Sequence, residues 1–215
     1  MQTGEWRALS HSEAFPGDQG HTQVRKAAQR CVRRLERGLN RLLFLVCGFD
    51  RWHVENDCLS RPYKRIISAQ INRLDPRIST VVEIGCGLGD ILRGIKCATR
   101  IGCDLDARVV RAARLRGAFD SIEFRTGDWT AIQETSIGAV IMVNWIHNLP
   151  PVELEKQVLA FCQRTRYLVF DSIDKEAHAS YKYIHDFAFL RGRARIKDVF
   201  RVQGELRSFL IWQVS

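Results

Sequence analysis

The strongest chemical signal in this chain is Glu83-Ile84-Gly85-Cys86-Gly87-Leu88-Gly89-Asp90. Its glycines permit positive φ and let a ligand approach bare backbone. The segment follows a short apolar run and opens an amphipathic one, so the free N–H groups of a helix N-terminus face the same spot. A dinucleotide enzyme would place its third glycine, or an alanine, where Asp90 stands. An acid there would oppose a pyrophosphate. Glu83 and Asp90 bordering Gly85, Cys86, Gly87 and Gly89 suit a ligand with a cationic end instead. Asp104 closes Arg100-Ile101-Gly102-Cys103, and an acid at that strand tip, about twenty residues beyond the first glycine, can accept both hydroxyls of a ribose. Gly127-Asp128-Trp129 and Asn144-Trp145-Ile146-His147-Asn148-Leu149-Pro150 follow two further apolar runs, and Asp171 closes another. Two side chains at adjacent strand tips, His147 and Asp171, are placed to take a proton from an acceptor.

The elements that must position these residues follow from hydrophobic spacing. Short apolar runs at 81–84, 100–103, 122–125, 138–143 and 167–170 predict strands. Stretches with helical periodicity at 63–74, 91–98, 107–116 and 151–164 separate them, and a further helix is expected over 175–190. Strands regularly separated by helices imply a parallel sheet covered on both faces. The rhythm then breaks: 196–202 and 206–214 read as strands with only Gln203-Gly204-Glu205 between them, a hairpin. The expected fold is α/β and doubly wound, a mostly parallel seven-stranded sheet finished by an antiparallel pair.

With these motifs in this order, residues 62–215 resemble the class I S-adenosylmethionine-dependent methyltransferases, which are Rossmann-like. The cofactor's sulfonium and α-ammonium would be the cationic end that Glu83 and Asp90 suit. The resemblance implies that Asp128 receives the adenine amino group, that Leu105 and Trp129 pack on the adenine ring, and that Asn144 borders the cofactor. It makes the 144–150 loop the neighbour of the methyl group, with Trp145, His147, Asn148 and Tyr63 as acceptor contacts. The loop lacks the Asn-Pro-Pro-Tyr type of signature found in amino-directed DNA enzymes, and no Pro-Cys nucleophile is present. A segment ahead of the first strand, Phe49-Asp50-Arg51-Trp52-His53-Val54 and Arg61-Pro62-Tyr63-Lys64, is expected to fold over the cofactor, with Tyr63 or Lys64 near its carboxylate. The motifs are similar to those of methyltransferases that accompany surface polysaccharide assembly. That implies O-methylation of a sugar, glycan intermediate or other small metabolite. An RNA methyltransferase and a non-catalytic cofactor-binding member stay open as alternatives.

The bulk numbers set the bounds. The chain has 215 residues, 46% hydrophobic and 27% charged, enough to bury a core without staples. Its seven cysteines are odd in number and never spaced as Cys-x-x-Cys, which argues for reduced thiols in a cytoplasmic protein and against a metal site. The 33 basic residues exceed the 24 acids for a net charge of +9, favouring anionic partners, although no recognisable nucleic-acid-binding module is attached. Residues 1–22 read as a disordered tail, 23–60 as a basic helical arm and lid, and 61–215 as the cofactor-binding domain. Within the arm, Ala28, Val32, Leu35, Leu39, Leu42 and Val46 share one helical face, while seven basic residues and the single acid Glu36 occupy the rest of 24–46. Two readings stay open: the stripe docks on the sheet domain, or it lies peripherally on an anionic membrane, at the inner face.

Overall fold

The computed structural model describes residues 19–56, 60–174 and 181–215, without the side chains of residues 19–30 and Arg33. The expected tail lies outside the described residues as far as residue 18. The elements are α1 (Gln19–Cys47), α2 (Trp52–Glu55), α3 (Tyr63–Leu74), β1 (Thr80–Ile84), α4 (Asp90–Arg93), β2 (Thr99–Asp104), α5 (Ala107–Arg116), β3 (Ile122–Thr126), β4 (Ile137–Met142), α6 (Pro151–Cys162), β5 (Thr165–Ile173), β6 (Ala194–Arg201) and β7 (Arg207–Val214).

The seven strands form one sheet in the order β3-β2-β1-β4-β5-β7-β6. The first five strands run parallel, and β7 runs antiparallel to both β5 and β6. Period-two alternation sends Val81, Ile141 and Val169 to one face, where Ile67, Ile71, Leu92 and Val110 cover them. It sends Val82, Val140, Met142 and Leu168 to the other, against Leu154, Val158 and Phe161 of α6. Both faces are therefore dry, as parallel strands require.

Three expectations are corrected. Helix α4 stops at Arg93 rather than continuing to residue 98. Gly94 caps it, Ser68 Oγ donates to Ile91 O at 2.7 Å and Asn72 Nδ2 to Gly94 O at 2.9 Å, so α3 side chains take carbonyls that another turn would need. The helix expected over 175–190 is absent from its described part, where only a 3₁₀ turn, Ala188–Leu190, forms. That segment's groups go elsewhere: Tyr183 N donates to His147 O, and His185 Nε2 pairs with Ile146 O at 3.0 Å. Residues 175–180 lie outside the described residues. The third correction concerns α1, which docks through Leu43 and Cys47 onto Val109 and Ala112, with Phe49 and Val54. The stripe read from the sequence is the other face: Val32, Leu35, Leu39, Leu42 and Val46 are exposed.

Candidate active site

Beyond the carboxyl ends of the parallel strands lies a cavity of about 500 Å³, the usual place for a ligand in an open α/β sheet. Its floor is the glycine loop. Gly85, Gly87 and Gly89 have φ of 69°, 54° and 77°, so L side chains would be strained there. Gly85 N and Cys86 N both donate to Cys103 O, at 2.8 and 3.0 Å, which ties the loop to β2. At the tip of β2, Asp104 accepts from Gly87 N at 2.9 Å and from Asp106 N at 3.1 Å. Its carboxylate is held in one orientation while each oxygen keeps a further lone pair. Cys103 Sγ donates towards Gly127 O at 2.9 Å and Asp128 O at 3.0 Å, fixing the turn that presents Asp128.

Two acids border the loop in opposite states. Burial would raise Asp90, but Lys64 Nζ at 2.9 Å and Arg116 Nη1 at 2.5 Å outweigh it and hold its carboxyl down at about 2. Burial pushes Glu83 up to about 8, with Lys64 pulling the other way, and its Oε2 has no hydrogen-bond partner. Trp145 Nε1 and Gln157 Oε1 are likewise buried and unpartnered, and all three residues line the cavity. Such atoms are costly until a ligand satisfies them.

The far end of the cavity is built around Asn144, a non-glycine residue at φ 77°. Its N–H donates to Asp171 Oδ1 at 2.8 Å, and its side-chain oxygen accepts from Arg207 Nη1 at 3.0 Å. Arg207 also donates to Asp171 Oδ2 and Glu205 Oε2, each at 3.0 Å, and its guanidinium stacks 4.4 Å from the Tyr63 ring centre. Burial opposes ionisation of Asp171, yet His147, Arg207 and the Asn144 N–H hold its carboxyl below the usual range.

No family model and no curated protein matches the chain. Solved structures do. The N-methyltransferase NodS from Bradyrhizobium japonicum WM9, in complex with S-adenosyl-L-homocysteine, superposes with a TM-score of 0.65 at 13% identity, over 82% of this chain and 98% of that one. Magnesium protoporphyrin IX methyltransferase (ChlM) from Synechocystis PCC 6803, with bound SAM, gives 0.62 at 17% identity, over 84% of this chain and 97% of that one. This is the class I methyltransferase fold.

Within the methyltransferase fold, the cavity gathers Glu83, Gly85, Cys86, Gly87, Asp104, Leu105, Asp128, Asn144, Trp145, Asn148 and Tyr63, all singled out in the sequence. Gly89 lies behind the loop, where an added Cβ would strike Phe124. Trp129 turns onto the α6-side core instead of the cavity, because Asp128 caps a 3₁₀ turn that carries the indole away. His147 and Asp171 do not border the cavity either. They are 1% and 0% exposed, with His147 Nδ1 on Tyr183 O at 3.2 Å and Nε2 at 3.4 Å from Asp171 Oδ1. Lys64 is committed to Asp90 and to Asn56 O. Asp90 faces two cations, so it offers no net negative charge to a cationic ligand.

Among the described residues, the imidazole that lines the cavity is His53 of α2. It lies against Gly87, with Nε2 3.6 Å from Asp50 Oδ2. Sequence reasoning passed over Arg207, Arg116, Glu153 and Gln157. An arginine inside an apolar strand was the available signal for Arg207.

Proposed function

We propose that this chain is an S-adenosylmethionine-dependent methyltransferase acting on a hydroxyl of a sugar, glycan intermediate or other small metabolite. The observation that carries the reading is one cavity joining a bare glycine loop, an oriented carboxylate at Asp104 and a buried carboxyl at Glu83 with one oxygen unpartnered. When bound, the cofactor supplies a methyl group on a sulfonium, open to in-line displacement. Asp104 would hold the ribose hydroxyls, Asp128 the adenine amino group and Glu83 the α-ammonium, with Leu105 against the ring.

The proposed oxygen acceptor follows the likeness of the motifs to those of methyltransferases of surface polysaccharide assembly. A guanidinium only donates, so the Asn144 atom facing Arg207 is Oδ1. Nδ2 is then the donor left over, and it would suit the lone pair of a hydroxyl or of a neutral amine. His53, steadied by Asp50, is the proposed proton acceptor. His147 and Asp171 act through Asn144 by holding the strand tip in its positive-φ conformation.

Calorimetry with S-adenosylhomocysteine tests the cofactor assignment. Wild type should bind, and Asp104→Ala should weaken binding by about 1.5–3 kcal/mol through loss of charge-assisted hydrogen bonds. A folded wild-type protein that binds no S-adenosylhomocysteine would overturn the reading.

A further inference from the structure

We propose that Trp145 holds the α-carboxylate of the bound cofactor through its indole N–H. The inference rests on the methyltransferase reading above. Among the described residues, three buried side-chain atoms belong to the cavity lining and have no partner: Glu83 Oε2, Gln157 Oε1 and Trp145 Nε1. Gln157 Oε1 accepts, and Glu83 Oε2 accepts once its carboxyl is ionised, whereas an indole N–H only donates. Trp145 is therefore the one of the three that calls for an acceptor on the ligand. The order of the strand tips says which part of the ligand arrives there. Along the sheet the tips run β3, β2, β1, β4, and they carry Asp128, Asp104, Gly85 and Asn144 in turn. With the adenine at Asp128 and the ribose at Asp104, the chain beyond the ribose lies at the tips of β1 and β4. Trp145 is packed on that spot, since a Cβ built on Gly85 would strike its ring and stand 2.8 Å from Nε1. Glu83, proposed for the ammonium, is two residues upstream of Gly85 in β1. The carboxylate is bonded to the carbon that bears the ammonium, so it follows to the same place.

The donors that would otherwise seat a carboxylate here are engaged within the protein. Gly85 N and Cys86 N both donate to Cys103 O, Gly87 N to Asp104 and Gly89 N to Cys86 O. Lys64 is held by Asp90 and Asn56 O, and Arg116 by Asp90. Arg207 is held by Asp171, Glu205 and Asn144. The backbone nest and the guanidiniums that suit anions are thus turned inward. A neutral N–H screened from water can still grip a carboxylate, because the bond is charge-assisted. Nε1 is shut off from water where the ring lies on Gly85, so the half-buried indole tilts off the glycine to take the carboxylate. That movement exchanges an orphaned donor for a paired one.

The test is a calorimetric cycle between one side chain and one ligand group. The ligands are S-adenosylhomocysteine and S-adenosyl-3-thiopropylamine, which lacks the carboxylate and keeps the ammonium. The proteins are the full chain as wild type, Trp145→Phe and Trp145→Leu, both variants keeping an apolar side chain against the α6-side core. Wild type should prefer S-adenosylhomocysteine by about tenfold or more, the size of a hydrogen bond to a charged group. A variant that melts as wild type does should lose that preference, binding S-adenosylhomocysteine more weakly and the amine unchanged. A preference that survives in a folded variant overturns the proposal and leaves the cofactor assignment standing. So does a wild type that binds the two ligands equally. Equal weakening of both ligands also overturns it and makes the indole a wall of the adenosine site. A wild type that binds neither ligand overturns the methyltransferase reading and this inference with it.

Discussion

The glycine-loop end and the Asn144 end of the cavity each rest on a buried carboxylate, and the two are wired differently. Asp90 is gripped by Lys64 and Arg116, cations from two helices, so it braces α3 against α5 across the start of α4. Asp171 is gripped by Arg207 and by the Asn144 N–H, so it braces one strained residue at the tip of β4. Glu83 lies near the first network without an ion pair of its own, helped by Lys64 at a distance and by the Leu92 N–H, and burial raises it to about 8 where Asp90 stays at about 2. The difference lies in partners, since all three are buried. Carboxylates with ion-pair partners in place brace the walls of the cavity, and the one without an ion pair is the one proposed to meet a ligand.

The sharpest way to break this contrast is to remove the walls. Asp90→Ala strands Lys64 and Arg116, and Asp171→Ala leaves Arg207 with Glu205 alone while taking the acceptor from the buried Asn144 N–H. Breaking a buried pair costs about 3–5 kcal/mol, so urea unfolding should show losses of that size for both variants. A loss under about 1 kcal/mol, the range of exposed pairs, would mean that water reaches the network. The Asp90 contribution should also depend on acid. Its folded value of about 2 lies below the ordinary 3.8, so its stabilisation is present above pH 3.8 and is lost as pH falls towards 2.

A second experiment compares the two imidazoles. With a hydroxyl acceptor, His53→Ala should cut S-adenosylhomocysteine release by about a hundredfold or more while leaving the fold intact. His147→Ala should act mainly through stability and acceptor affinity, because its ring is buried behind Asn144. The reverse ranking would restore His147 to the proton-transfer role. An amine acceptor preferred over its hydroxyl counterpart would remove the oxygen reading altogether.

The smallest expected effect belongs to Glu83. At neutral pH it is protonated, and a cation arriving beside it favours the carboxylate. Binding of S-adenosylhomocysteine should release a proton, and affinity should rise as pH climbs to about 8, by at most about tenfold per unit. Calorimetry in buffers of different ionisation enthalpy reads that proton, and Glu83→Gln should abolish it. Binding without proton release would send the ligand's ammonium elsewhere.

The contrast also explains what the sequence made legible. Gly85, Gly87, Asp104 and Asp128 sit at strand tips, and each announces itself within a few residues through glycine spacing or a terminal acid. The parallel strands likewise show as short apolar runs, which the alternation of Val81 and Val82 between two cores accounts for. The Asn144 end is assembled from Tyr63, Asn144, Asp171 and Arg207, residues brought together only by the packing of α3 and the order of the strands, and no local pattern joins them. The helix expected over 175–190 failed for the same reason: Tyr183 and His185 bond to the 146–147 loop, a partner invisible in their own spacing. On α1, two apolar faces adjoin one another, and periodicity could not rank the Leu43–Cys47 face above the longer stripe.

The position of β7 between β5 and β6 has a consequence for the order in which the protein is made. Residues 194–201 leave the ribosome before the strand that joins them to the sheet, so β6 has nothing to pair with until residues 207–214 follow. By then the glycine loop, Asp104, Asp128 and α6 have emerged. Arg207 emerges after all of these, and only then can Asn144 be clamped from both its backbone and its side chain. On the nascent chain, the glycine loop and Asp104 are therefore out before the residue that clamps Asn144.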